Sequence, residues 1–155
     1  MKFVCDEMLG TLAKWLRILG YDTAYVKNME DDEILKIAEK EDRIIITRDK
    51  VLAEKSEKAL YIDEKDLEKQ IEKVFKKLNL EIDEDKILSR CTLCNTPVTP
   101  IKKEKIEGKV PEHVWKTHEK FWICPKCKRI YWMGSHWNDM EEKIKKIKDY
   151  QSLPL

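Results

Sequence analysis

No apolar stretch in this 155-residue chain approaches the length of a bilayer-spanning helix, which argues against a helical membrane protein. No hydrophobic leader core stands before the first strand-like residues, so no secretory signal is expected and the cytoplasm is the expected compartment. An excess of either charge is also absent. With 31 basic residues against 30 acidic ones, net charge alone gives no argument for binding nucleic acid. Only four glycines occur, and with the wealth of Lys, Glu and Ile this fits a thermophile's usage. Low-complexity linkers and internal repeats are missing, so any second module is expected to pack against the first.

What is present reads as globular: 42% hydrophobic residues and five tryptophans, with 39% charged residues where about 25% is typical. Lys2 to Cys5 is a short buried-strand pattern, and Leu9, Leu12, Ala13, Leu16 and Leu19 recur at helical spacing up to a terminating Gly20. A second strand is expected over residues 22–26. It is followed by a helix with Ile34, Leu35, Ile37 and Ala38 inward and Asp31 or Asp32 as its cap. "RIIIT" at 43–47 is a third strand and "ALYI" at 59–62 a fourth, with a short helix between them. Leu67, Ile71, Val74, Phe75 and Leu78 then mark one face of a longer helix. Alternation of strand and helix predicts an α/β fold with a parallel sheet covered by helices.

The character of the chain changes near Ile87, giving expected units of 1–86 and 87–155. "CTLC" (Cys91, Cys94) and "CPKC" (Cys124, Cys127) have the spacing of a four-thiolate zinc site, closed and therefore structural. Two such pairs in one small segment weigh against a redox role. In a chain without an export signal, they weigh against disulfides too. Cys5 falls inside a strand and reads as a buried small hydrophobe. His113, His118 and His136 are not required as ligands. A charged amphipathic helix closes the chain over residues 138–150.

A second constellation is acidic. Ligands of an open parallel sheet sit at the carboxyl ends of its strands, where Asp6 follows the first strand and Asp49 the third. Asp31, opening the intervening helix, reaches the same rim, and Asp32 competes for that role. Converging carboxylates without an obvious basic partner suit Mg²⁺ or Mn²⁺, which takes oxygen ligands and supports attack on a phosphodiester. The bland alternatives are helix capping by Asp31 and Asp49, with Glu7 and Asp22 merely solvated.

"DEMLGTLAKWLRILGYDT", "DDEILKIAEKEDRIIITRD", "RCTLCN" and "CPKCKRIYWMGSHW" together resemble the Mut-seven C-terminal RNase domain family, a PIN-like nuclease domain with a C-terminal zinc ribbon. The resemblance runs from residue 2 to about residue 143. It implies a three-layer α/β/α sandwich and a Mg²⁺- or Mn²⁺-dependent ribonuclease site. The family's acids fall on Asp6, Asp31 and Asp49, and its ribbon ligands on Cys91, Cys94, Cys124 and Cys127. PIN nucleases commonly use four acids, and the motifs place three.

RNA, single-stranded, is the expected partner. Lys102, Lys103, Lys105, Lys109, Lys126, Lys128 and Arg129 lie near Tyr131 and Trp132 in sequence, a mixture that can meet phosphates and unpaired bases. Trp122, Tyr131, Trp132 and Trp137 also read as the ribbon's core and its contact with the first unit. Lys14, Arg17 and Arg48 can each hold a phosphate or pair with nearby acids. The rivals to a ribonuclease are a non-catalytic RNA- or protein-binding module and a PIN-type toxin.

Overall fold

The structure is a computed structural model that describes residues 1–134 and 137–152. Strands β1 (Lys2–Cys5), β2 (Asp22–Tyr25), β3 (Ile44–Thr47) and β4 (Ala59–Tyr61) form a parallel sheet in the order β2-β1-β3-β4. Val4 lies opposite Ala24 on one side and Ile45 on the other. Because side chains alternate across a strand, Phe3, Cys5 and Ile46 point to one face, and Val4 and Ile45 to the other. A sheet covered on both faces needs near-continuous aliphatic strands, which is why β3 reads Ile-Ile-Ile-Thr.

The first face is covered by α1 (Gly10–Ile18) and α4 (Leu67–Leu78), the second by α2 (Asp31–Glu41) and α3 (Lys50–Glu54). The expected α/β architecture is therefore present, with helix layers on both sides of a parallel sheet. Phe3, Leu12, Leu16, Ile46 and Val74 are wholly buried. Each such side chain contributes about 1.5–3 kcal/mol relative to exposure.

The first helix is shorter than its periodicity predicts, because a 3₁₀ turn (Glu7–Leu9) precedes it. The Tyr25 hydroxyl donates to the Glu7 carbonyl at 2.7 Å and crosses so close to Gly10 that a Cβ there would meet it at 3.1 Å. Gly20 ends the helix as expected. It has φ +95°, and an added Cβ would lie 2.6 Å from Lys86.

At α2 the capping expectation fails. Glu30 is the cap residue and makes no side-chain capping bond, while Asp31 and Asp32 sit inside the first turn. There they meet the positive end of the helix dipole instead of bonding a free N–H.

Beyond α4 the chain builds a small antiparallel sheet, β5 (Thr99–Ile101), β6 (Phe121–Ile123) and β7 (Ile130–Tyr131), with α5 (Glu112–Thr117) before β6. Ile106, Val114 and Phe121 are its buried core, with Trp115 and Trp132 packed around them. So small a core does not hold a module together alone. The final helix, α6 (Trp137–Ser152), lays Ile144 and Ile147 into the larger core beside α1 and α4, and Lys143 sits 5.2 Å above the Trp15 ring. His136 lies outside the described residues.

Polar contacts join the two sheets. Arg17, read from the sequence as able to hold a phosphate or to pair with nearby acids, does neither among the described residues and is buried. Its Nε donates to the Thr23 carbonyl at 2.8 Å, and its Nη1 to the Thr92 and Leu93 carbonyls at 2.8 and 3.2 Å. Asn95 accepts from the Thr23 N–H at 2.9 Å and donates to Asp22 at 2.6 Å. Asp22 is thus not merely solvated, since it also pairs with Arg43 at 2.8 Å.

Burial pushes the Asp22 carboxyl up, but hydrogen bonds from Arg43 and Asn95 and the charges of Arg43 and Arg90 outweigh it and hold it below its ordinary value. A depressed folded-state pKa adds stability that is complete above the unfolded value, about 3.9, and is lost as pH falls through the lower folded one. Acidification through that window should therefore lower the unfolding temperature of the wild type more steeply than that of Asp22→Asn. Identical acid profiles for the two proteins would remove Asp22 from the account.

Candidate active site and metal centre

The connection from β1 leads to β2 on one side, while β3 and β4 lie on the other, so strand order reverses between β1 and β3. The carboxyl ends of these two strands form the crevice in which open α/β sheets hold ligands. Asp6 leaves β1 at this point. Its Oδ1 accepts from the Met8 N–H at 3.2 Å; its Oδ2 accepts from the Arg48 N–H at 3.2 Å and from the Thr47 hydroxyl. Thr47, fully buried at the end of β3, accepts in turn from the Asp49 N–H at 2.8 Å. One hydroxyl therefore ties the two aspartates to each other.

Asp49 caps α3, its Oδ1 accepting from the N–H groups of Val51 and Leu52 at 2.9 and 3.3 Å. Among the described residues no hydrogen bond reaches its Oδ2. Capping and ligand binding are compatible here, because each uses a different oxygen. Asp31 reaches the rim from the first turn of α2 and pairs with Lys55 at 3.2 Å. The acids are thus not without a basic partner, as the sequence suggested.

Asp6, Asp31 and Asp49 line one cleft of about 560 Å³. Glu7, Arg48 and Lys65 line it too. Asp32 is exposed and is not among its lining residues. Glu7 supplies a fourth carboxylate at the site, and Lys65 a cation that sequence reading missed. Lys65 enters from the loop after β4, where nothing in a local pattern announces it.

Among the described residues, the four cysteines alone bring three or more ligand atoms within 4.8 Å of one another. Asp6, Asp31 and Asp49 do not form such a group.

The sulfur site is compact. In each C-x-x-C pair the second cysteine's N–H points at the first one's Sγ, Cys94 to Cys91 at 3.4 Å and Cys127 to Cys124 at 3.5 Å. The residue after each pair, Asn95 or Lys128, takes a left-handed φ of 66° or 67°, so both turns have the same shape. The Tyr131 hydroxyl lies 3.0 Å from Cys91 Sγ.

Sulfurs this close cannot all lose their protons without a cation. Burial pushes the Cys91 thiol up, but hydrogen bonds from Tyr131 and from backbone N–H groups bring it down to about 6. Cys94, hydrogen-bonded to Cys127, is pushed up to about 12. The group can hold a metal such as zinc, which thiolates favour. His113 and His118 do not belong to it. Cys5 is buried away from it as expected, and burial, then the Asp6 charge, pushes its thiol well up.

Fold and cleft define a doubly wound α/β protein with three aspartates lining a cleft at its switch point and a four-cysteine group able to hold a metal in its C-terminal part. The chain belongs to the Mut7-C RNAse domain family, whose model matches residues 1–144. It is also similar to the human "Exonuclease mut-7 homolog", 35% identical over 101 residues that make up 61% of this chain and 12% of that protein. No solved structure matches it. No helix among the described residues is long and apolar enough to cross a membrane.

Proposed function

We propose that this chain is a cytoplasmic, divalent-metal-dependent ribonuclease that hydrolyses phosphodiester bonds of single-stranded RNA at a PIN-like acidic site. The observation that carries the reading is the meeting of Asp6, Asp31 and Asp49 in one cleft at the switch point of an RNAse-family chain. Their oxygens are hard donors and fit Mg²⁺ or Mn²⁺. When bound, such an ion supplies Lewis acidity, lowering the pKa of water and stabilising charge on the phosphate.

Asp6 and Asp49, held in register by Thr47, present carboxylate oxygens to that position. Asp31 joins them once it leaves Lys55, a partner that is 44% exposed and therefore weakly held. Arg48 and Lys65 lie in the same cleft and meet the phosphate's remaining oxygens. Zinc on Cys91, Cys94, Cys124 and Cys127 is structural, because four thiolates leave it no open position.

Cleavage of a labelled mixed RNA pool, with and without added Mn²⁺, tests this reading. Wild type should cut only with the ion, and Asp49→Asn, which keeps a capping oxygen for α3, should cut at least about 100-fold more slowly. Equal cutting by the variant would displace the site. Intact RNA with a folded, zinc-loaded protein would turn the reading to a binding module.

A further inference from the structure

A second cavity, of about 510 Å³, opens between α1 and the small sheet, where Lys14, Ile87, Trp122, Arg129, Tyr131 and Trp132 line it. Its size falls in the range of ligand-binding clefts. Three large rings here are only half-buried, although a small module needs its aromatic side chains for packing. Trp132 turns one side to Phe121, at 6.4 Å between centroids, and still lines the groove. Tyr131 is held in place through its hydroxyl, which accepts from the Thr92 N–H at 3.1 Å. The groove is therefore anchored to the cysteine site.

Two further features separate this groove from a plain apolar patch. Lys14 and Arg129 are exposed at it, and among the described residues neither has an ion pair; Asp85 is the acid at the same groove. The Arg129 guanidinium lies 5.9 Å from the centre of the Tyr131 ring, which leaves its N–H donors open to an anion. Met8, in the 3₁₀ turn before α1, lines the acid cleft, and Lys14, on α1 six residues later, lines the groove, so the two open at neighbouring places along one short stretch of chain.

We infer that this groove is a nucleobase subsite for the RNA strand whose scissile phosphate lies in the acid cleft, an inference that rests on the ribonuclease reading above. An unpaired base stacks against the Trp122 and Trp132 rings, and the adjoining phosphates meet Lys14 and Arg129. Stacking tolerates every base, so the subsite favours single strands without demanding a sequence. A paired base has no free face to offer it.

The test uses the zinc-loaded full chain in the Asp49→Asn background, where RNA stays intact, with a ten-nucleotide RNA carrying 4-thiouridine as probe. Cross-links should fall on the peptides holding Trp122 or Trp132. Lys14→Glu with Arg129→Glu should weaken binding about tenfold or more. It should also flatten the logarithmic salt dependence by about 1.4, at about 0.7 per single-strand phosphate contact. Lys40→Glu, an exposed reversal on α2, should change neither quantity by as much as half of that.

Cross-links elsewhere, or unchanged affinity and salt slope in the double reversal, would overturn the subsite. So would a dimer in sedimentation that Trp122→Phe disperses, since a second copy would then fill the groove. The two readings fail separately. Metal-dependent cutting by the otherwise native protein without any groove effect leaves the nuclease and removes the subsite. Groove cross-links and rim effects without cutting keep the groove as a binding site and remove the nuclease.

Discussion

Asp6→Asn should lower metal-dependent RNA cleavage at least about 100-fold while moving the unfolding temperature by no more than about 3 °C. The expectation follows from how Asp6 is held. Its Oδ1 takes the Met8 N–H and its Oδ2 the Arg48 N–H and the Thr47 hydroxyl. The amide oxygen of Asn keeps one of these positions, and Thr47 can turn its hydroxyl to accept from the new NH2. The one backbone N–H left over costs about 1 kcal/mol, a few degrees at most. What Asn cannot supply is negative charge. A fall in cleavage with an unchanged fold therefore isolates the charge from the scaffold. Rescue by raised Mn²⁺ would say that the variant binds its ion more weakly; a loss that metal does not restore would say that the carboxylate has a second part in the chemistry. Undiminished cleavage would remove Asp6 from the site.

Loss of zinc should have the larger effect on the protein as a body. Structural zinc in small domains contributes about 10–16 kcal/mol of apparent binding free energy, which is folding free energy when the core is small. Here the buried core of the small sheet is Ile106, Val114 and Phe121. Cys124→Ser, or a strong chelator, should unfold this sheet, red-shift tryptophan fluorescence and lower the unfolding temperature of the whole chain. The effect spreads because Arg17 and Asn95 bind the first cysteine turn to β2. A chelated protein with unaltered fluorescence and melting would mean that the four cysteines hold no structural metal.

Much of the scaffold could be read without coordinates, for physical reasons. Ile44, Ile45 and Ile46 announce a strand buried on both faces, and the spacing of Ile71, Val74 and Phe75 announces a helix with one inward stripe. The paired C-x-x-C turns announce their own geometry, since two residues between sulfurs leave few other uses. The cleft's acids were legible only in part. Asp6 and Asp49 follow from strand ends and Asp31 from the helix that opens between them, but the choice of Asp31 over Asp32 rests on which side of the first turn faces the cleft, and the cap of that helix is Glu30.

Partners far apart in sequence were not legible. Arg17 has the look of a surface cation on a helix and is instead bonded to carbonyls of Thr92 and Leu93. Nothing within several residues of Asn95 hints that its amide will meet Thr23 and Asp22. Lys55 and Lys65 likewise come to the acids through the packing of α3 and the loop after β4. Local patterns report the face a residue shows, and only the assembled chain reports what meets that face.

The outer strand of the sheet carries one more consequence. β2 has β1 on one side only, and the N–H and C=O of Thr23 turn outward from that pairing. Such a row of unsatisfied groups is a template on which a foreign strand can add itself, and proteins that endure keep it covered. In this chain Asn95 takes the N–H and Arg17 the C=O, with the first cysteine turn pressed over both. Zinc on the four cysteines would then guard against self-assembly as well as hold a small module together: a population stripped of its metal would bare this border and grow into stacked, strand-exchanged aggregates.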